Sequence, residues 1–153
     1  MPRKRIVNTA LVDNVAQNLF TALPIFRKRL LHMDVIQREF NMPLSHVQVL
    51  AMLHDNGSMT VSEISRRLGI AKPNITPLIN RLIERGYVAR KRDEEDRRMV
   101  NITICPSGAS QLAQIRAKMV EFVGQWAGDL TNAELKTLNE SLCNITRILG
   151  NQS

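Results

Sequence analysis

Residues 58–104 read SMTVSEISRRLGIAKPNITPLINRLIERGYVARKRDEEDRRMVNITI, and the fold turns on how this stretch is parsed. Thr60-Val61-Ser62-Glu63 has the form of a capping box, in which a hydroxyl and a carboxylate satisfy two orphan N–H groups of a helix start. A short helix is predicted over 60–68, a turn over 69–72 and a second helix over 72–85. Pro73 falls in the first turn of that second helix, where its missing N–H costs nothing. Two short β-runs, 87–92 and 99–104, then flank the hairpin tip Asp93-Glu94-Glu95-Asp96-Arg97-Arg98. A helix-turn-helix followed by a basic hairpin is a shape that reads DNA. One helix enters the major groove, and the hairpin reaches the phosphates or the adjacent minor groove.

Charge follows the same division. The chain of 153 residues carries a formal net charge of +7, which favours a polyanionic partner without choosing between nucleic acid and a membrane surface. Residues 58–104 hold ten of the 21 Lys and Arg, whereas 106–153 carry four basic and four acidic side chains. Net positive charge is concentrated where the reading elements lie. That is the footprint of a DNA-binding protein rather than of a generally basic one.

Within the second helix, Ile75, Leu78, Ile79 and Leu82 form the apolar stripe, which leaves Lys72, Asn74 and Thr76 as candidates for base or phosphate contacts, followed by Asn80 and Arg81. Pro77 has no N–H to give the carbonyl of Pro73, so one carbonyl is left free at the groove-facing end.

Outside this stretch the pattern is helical. Val12, Val15, Leu19, Leu23, Phe26, Leu30, Met33 and Ile36 recur at spacings of three and four, one stripe of a long first helix with a kink expected at Pro24. Ser45-His46-Val47-Gln48 fits a capping box for a second helix, with Leu44, Val47, Leu50 and Leu53 inward and Asn56-Gly57 ending it. Leu112, Ile115, Met119, Phe122 and Trp126 make a further stripe. Thr131-Asn132-Ala133-Glu134 opens a last helix bearing Leu135, Leu138, Leu142, Ile145 and Leu149. The stripes at the two ends of the chain must pack on something. Packing them together and against a second copy would bury them, and a symmetric dimer presents two reading heads to a palindromic site.

The order and spacing of these elements resemble the MarR family of bacterial transcriptional regulators over nearly the whole chain. The resemblance is carried by Thr60–Ile70, by Arg81-Leu82-Ile83-Glu84-Arg85-Gly86-Tyr87-Val88, and above all by Asp96-Arg97-Arg98, which matches the family's Asp-x-Arg wing signature ahead of a β-run and Ser107-Gly108. It implies a mainly α fold with a small β-wing: a winged helix-turn-helix with a helical dimerisation lobe. The lobe would comprise 1–42 and 106–153, with 43–105 as the DNA-binding domain. It also implies a homodimeric repressor of a pseudopalindromic operator, released by a small aromatic or phenolic ligand or by oxidation. By position the wing arginine is Arg98 and its orienting carboxylate Asp96, with Arg97 between them. An Arg at a hairpin tip suits a narrow, electronegative minor groove, and a neighbouring carboxylate can hold the guanidinium. Pro77 stands where many members have a basic residue, so no phosphate contact carries over there.

By the same resemblance, Phe26, Leu30, Met33, His46 and Met52 would line an effector cleft between the first two helices. Cys105 and Cys143 leave a thiol-based switch open as the alternative, and a winged-helix protein-interaction module is another. Two distant cysteines suggest no disulfide framework. His32, His46 and His54 never form a close ligand pair, so neither metal nor cofactor is expected. No catalytic triad, paired carboxylates or glycine-rich phosphate loop stands out, and an enzyme is not expected. Asp13, Asn14, Gln17 and Asn18 interrupt any apolar run after the basic start Met1–Arg5. No secretory signal or membrane span is therefore expected, and the cytoplasm is the expected location.

Overall fold

The computed structural model describes residues 7–30, 33–96 and 98–150, apart from the side chains of Leu30 and Met33. The chain divides into two compact units between Val35 and Ile36.

In the first unit, α1 (Thr9–Ile25) starts at Asn8, whose Oδ1 accepts from the N–H groups of Ala10 and Leu11 at 3.0 and 3.3 Å. This is a side-chain N-cap. Pro24 lies inside the helix, and just beyond it the backbone opens into a π-helical turn over Phe26–Leu30. α2 (Met33–Phe40) follows and runs across the boundary into the second unit. Among the described residues the predicted long helix comprises α1, the π-turn and α2. A π-turn inserts one residue into the 3.6-residue period, so a three-four spacing does not continue in phase through it.

The second unit holds the core. α3 (Leu44–Asn56) buries His46, Val49, Leu50 and Leu53, the i, i+3, i+4, i+7 face of a helix. Leu44 is 40% exposed rather than inward, because it stands two residues, about 200° of rotation, from His46. The expected capping box at Ser45 is absent as well. The helix begins after Pro43, which has no capping side chain, and Ser45 Oγ lies 3.4 Å from His46 Nδ1 instead.

α4 (Val61–Leu68) carries the Thr60–Glu63 box in full. Glu63 N–H donates to Thr60 Oγ1 at 3.2 Å, and Glu63 Oε2 accepts from Thr60 N–H at 2.8 Å. That pairing, led by the backbone bond from Thr60, holds the Glu63 carboxyl below its usual pKa. Gly69, in the left-handed region at φ 64°, ends the helix. α5 (Lys72–Glu84) buries Ile75, Leu78, Ile79 and Leu82, the stripe read from the sequence.

β2 (Val88–Arg92) and β3 (Val100–Ile104) pair antiparallel with Val88 opposite Ile104 and Arg92 opposite Val100, each one residue shorter than expected. A third strand, β1 (Met59–Thr60), joins the other edge of β3, giving the order β1-β3-β2. Two residues are too few to show an alternating pattern, so β1 left no periodic signal. It matters because it ties the start of α4 to the hairpin.

α6 (Pro106–Ala127) buries Leu112 and Ile115. It is pinned to α3 by Arg116 Nη2, which meets the two oxygens of Asp55 at 3.0 and 2.9 Å. α7 (Asn132–Gly150) starts with the expected Thr131–Glu134 box and has no buried residue. No helix among the described residues is long and apolar enough to cross a membrane.

The corner from β3 into α6 is tight. The Cys105 N–H donates to the Tyr87 carbonyl at 2.9 Å, the Ser107 hydroxyl donates to the Gly86 carbonyl, and Gly108 packs directly on the Tyr87 backbone. A Cβ at position 108 would collide with the Tyr87 carbonyl, which cannot swing aside as a side-chain tip could. Gly108→Ala is expected to destabilise the fold by about 1–3 kcal/mol through overpacking. Thermal melts should show it, with Gly124→Ala, which faces open space, leaving the midpoint unchanged or slightly raised.

Candidate nucleic-acid interface

Burial of one face of α5 decides what the other face offers. With Ile75, Leu78, Ile79 and Leu82 inward, Lys72, Asn74, Thr76, Pro77, Asn80 and Arg81 are all exposed. The helix is aimed by α4. Ile64 is fully buried between the helices, and the intervening turn is locked by the Ser65 hydroxyl donating to the Ile70 carbonyl at 2.6 Å and the Ile70 N–H returning to the Ser65 carbonyl at 3.1 Å. Thr76 Oγ1 donates to the Lys72 carbonyl at 3.1 Å, which leaves its oxygen free to accept rather than donate.

The hairpin tip is organised by Asp93, a residue the sequence reading passed over. Its Oδ1 accepts from the N–H groups of Glu95 and Asp96 at 2.9 and 3.0 Å, and its Oδ2 from Asn101 Nδ2 at 2.9 Å. The two backbone bonds lead in holding this carboxyl below its usual pKa. Asp96 acts on backbone too. Its Oδ1 accepts from the Arg98 N–H at 3.0 Å, so it fixes the course of the chain at Arg98. The expected clasp on the Arg98 guanidinium is not formed, because the carboxylate is turned to the peptide instead. Arg98 is exposed at the tip, and Arg97 lies outside the described residues.

Arg90 was also missed. Its Nη2 donates to Asn80 Oδ1 at 2.8 Å, joining β2 to the exposed face of α5. It also lines a cleft of about 550 Å³ with Thr60, Val61, Ser62 and Arg98, where the start of α4 faces the wing. One guanidinium therefore sits between the two elements that the sequence had named separately. The run Arg90-Lys91-Arg92 was the available signal, since alternation along a strand puts Arg90 and Arg92 on one face.

The proposed effector residues fall in different settings. His46 is buried, and burial, reinforced by the fields of Arg81 and Arg85, holds its pKa below the usual imidazole value. Met52 and Phe26 are half-buried in their own units, and the side chains of Leu30 and Met33 lie outside the described residues. Cys105 is half-buried just ahead of α6, and Cys143 is exposed on α7. No group of three or more His, Cys, Asp or Glu among the described residues is placed to hold a metal ion.

The MarR family model matches residues 40–99. Over that segment the chain is similar to members of the MarR family. It is 32% identical over 92 residues to the HTH-type transcriptional regulator YpoP of Bacillus subtilis, and 30% identical over 93 residues to YsmB of the same organism. These alignments cover 60% and 61% of this chain, and the chain spans 65% and 64% of those relatives. A MarR family protein from Bacillus stearothermophilus superposes with a TM-score of 0.74 at 20% identity, covering 94% of this chain and 98% of that one. The fold is accordingly a mainly helical winged helix with a three-stranded antiparallel sheet.

Asp93→Ala should loosen the tip without unfolding the core. Faster amide exchange at Glu95 and Asp96 with an unchanged melting midpoint is the expected pair of results. Because the folded-state pKa is depressed, the ordering is complete above the ordinary value of 3.8 and is lost as pH falls through the lower folded value.

Proposed function

We propose that this protein is a sequence-specific DNA-binding transcriptional regulator that acts as a homodimeric repressor. The observation that carries the reading is the placement of Arg90 between the exposed face of α5 and the wing tip, which gathers helix and hairpin cations into one continuous surface. In this reading Lys72, Asn74 and Thr76 contact bases or phosphates in the major groove, with Asn80 and Arg81 flanking them. Arg98 enters the minor groove on a backbone held by Asp96 and Asp93. An affinity built on phosphate neutralisation falls with salt, with a slope in log K of about 0.9 per contact.

Fluorescence anisotropy on the DNA upstream of the protein's own gene, against a scrambled duplex, tests the reading directly. Arg98→Ala should weaken binding by about tenfold or more, ~1.4 kcal/mol, and flatten the salt slope. Lys136→Ala, on α7, should leave both unchanged. Equal affinity for the two duplexes, or equal losses in the two variants, would refute specific recognition by the wing.

Surface chemistry supports a second copy. α1 exposes Leu11, Val12, Val15, Leu19 and Leu23, and α7 exposes Leu142, Ile145 and Leu149. Such apolar rows on a monomer mark an interface. Pairing two copies would set the reading heads on half-sites about one helical turn, roughly 34–36 Å, apart. Replacing both Leu142 and Ile145 with Asp costs an exposed monomer little but puts charge into a buried seam. Sedimentation of that variant should show a monomer whose operator binding has collapsed, and a variant that remains dimeric would exclude α7 from the interface. A small aromatic or phenolic effector then releases the DNA by favouring a different spacing of the heads, which requires unequal affinity for the two states.

A further inference from the structure

Resting on the DNA-binding reading above, we infer that Asn80 reads the operator as a hydrogen-bond donor and Thr76 as an acceptor, so that guanine stands opposite Asn80 and adenine or cytosine opposite Thr76. The polarity of each side chain is set by a partner within the fold.

The amide of Asn80 is fixed by a group that can only give. Arg90 Nη2 donates to Asn80 Oδ1 at 2.8 Å. A guanidinium carries N–H donors and no acceptor, so the amide oxygen, not the nitrogen, must face it. Asn80 is exposed, and its Nδ2 has no partner among the described residues. An asparagine that reads adenine turns both ends of the amide to one base edge, giving to N7 and taking from the N6 amino group. With the oxygen held by Arg90 that fork is unavailable, and the amino group is what Asn80 offers. Guanine presents two acceptors in the major groove, O6 and N7. Adenine and thymine present one each, and cytosine presents only its N4 amino donor. Guanine is favoured there and cytosine rejected. Arg90 is a positioning residue, acting on the base through Asn80.

Thr76 has the opposite polarity for the same kind of reason. Its Oγ1 donates to the Lys72 carbonyl at 3.1 Å. A carbonyl only accepts, so the hydroxyl proton is engaged within the helix and its lone pairs remain. Pro77 adds acceptor character to the same turn, since it has no N–H to give to the Pro73 carbonyl. Pro73, Thr76 and Pro77 are all exposed. The amino groups of adenine and cytosine are the donors that bases present in the major groove. Guanine and thymine present acceptors alone, and opposite Thr76 they would set acceptor against acceptor.

Thr76 and Asn80 stand four residues apart on α5, on one face and roughly 6 Å along its axis. The duplex step is about 3.4 Å, so the two side chains meet different base pairs and their preferences are separable.

Selection of bound sequences from random duplexes, run with the full chain and repeated with single variants, reads both positions as base preference, whatever the overall affinity. Asn80→Asp keeps a partner for Arg90 but replaces the amino group with a second acceptor. It should exchange guanine for cytosine at one position of the motif, by about five- to tenfold in relative affinity, as gain and loss of a hydrogen bond would. Asn80→Ala should flatten that position rather than invert it, and Arg90→Met should release the amide and raise adenine there. Thr76→Val, which keeps the shape and removes the hydroxyl, should erase the preference for adenine or cytosine at a second position, whereas Thr76→Ser should retain it. A motif left unchanged by Asn80→Asp or by Thr76→Val overturns this assignment while specific DNA binding stands. Failure of the unaltered chain to enrich any motif overturns both.

Discussion

Everything the molecule presents to a partner depends on the burial of one face of α5. Ile75, Ile79 and Leu82 are fully buried and Leu78 nearly so, in contact with α3, α4 and the sheet. Burying four such side chains contributes on the order of 1.5–3 kcal/mol each, more than any exposed ion pair in the structure can supply. The helix tolerates Pro73 and Pro77 because this seam, rather than an unbroken run of backbone bonds, holds it. Once the seam is fixed, Lys72, Asn74, Thr76, Asn80 and Arg81 have no place but outside.

The wing obeys a different rule. Its tip has almost no apolar content, so it is shaped by hydrogen bonds to backbone rather than by packing. Asp93 caps the turn through the Glu95 and Asp96 amides, and Asp96 repeats the device on Arg98. Two acids in a basic hairpin therefore do not oppose its charge. They set the backbone so that the arginine side chain is left for a partner. β1 extends the same economy to the other edge, since two residues paired with β3 connect the start of α4 to the hairpin.

α5 carries two sets of cations with different surroundings. Lys72 lies at its exposed start, whereas Arg81 and Arg85 stand beside the buried His46 near its end. The first setting is open to solvent and suits a large polyanion. The second is partly enclosed. The two ends of the helix differ in burial, not in residue type.

The amino-acid sequence by itself determined the winged-helix core. Capping boxes at Thr60 and Thr131 and the stripe through Ile75, Leu78, Ile79 and Leu82 are local signals, read within one or two turns of helix, and each stands in the structure as read. Signals failed where the decision was not local. Ser45 looks like a cap, but the burial of His46, Val49, Leu50 and Leu53 sets the rotation and start of α3. The first apolar stripe runs on in the sequence, yet the π-turn after Pro24 breaks its phase. Three side-chain bonds between segments were out of reach for the same reason. Asp93 meets Asn101 eight positions away, Arg90 meets Asn80 ten away, and Arg85 reaches the Asn41 carbonyl across 44. Charge and periodicity report what each segment prefers. Which side chains meet across segments was decided only by the packing of the tertiary structure.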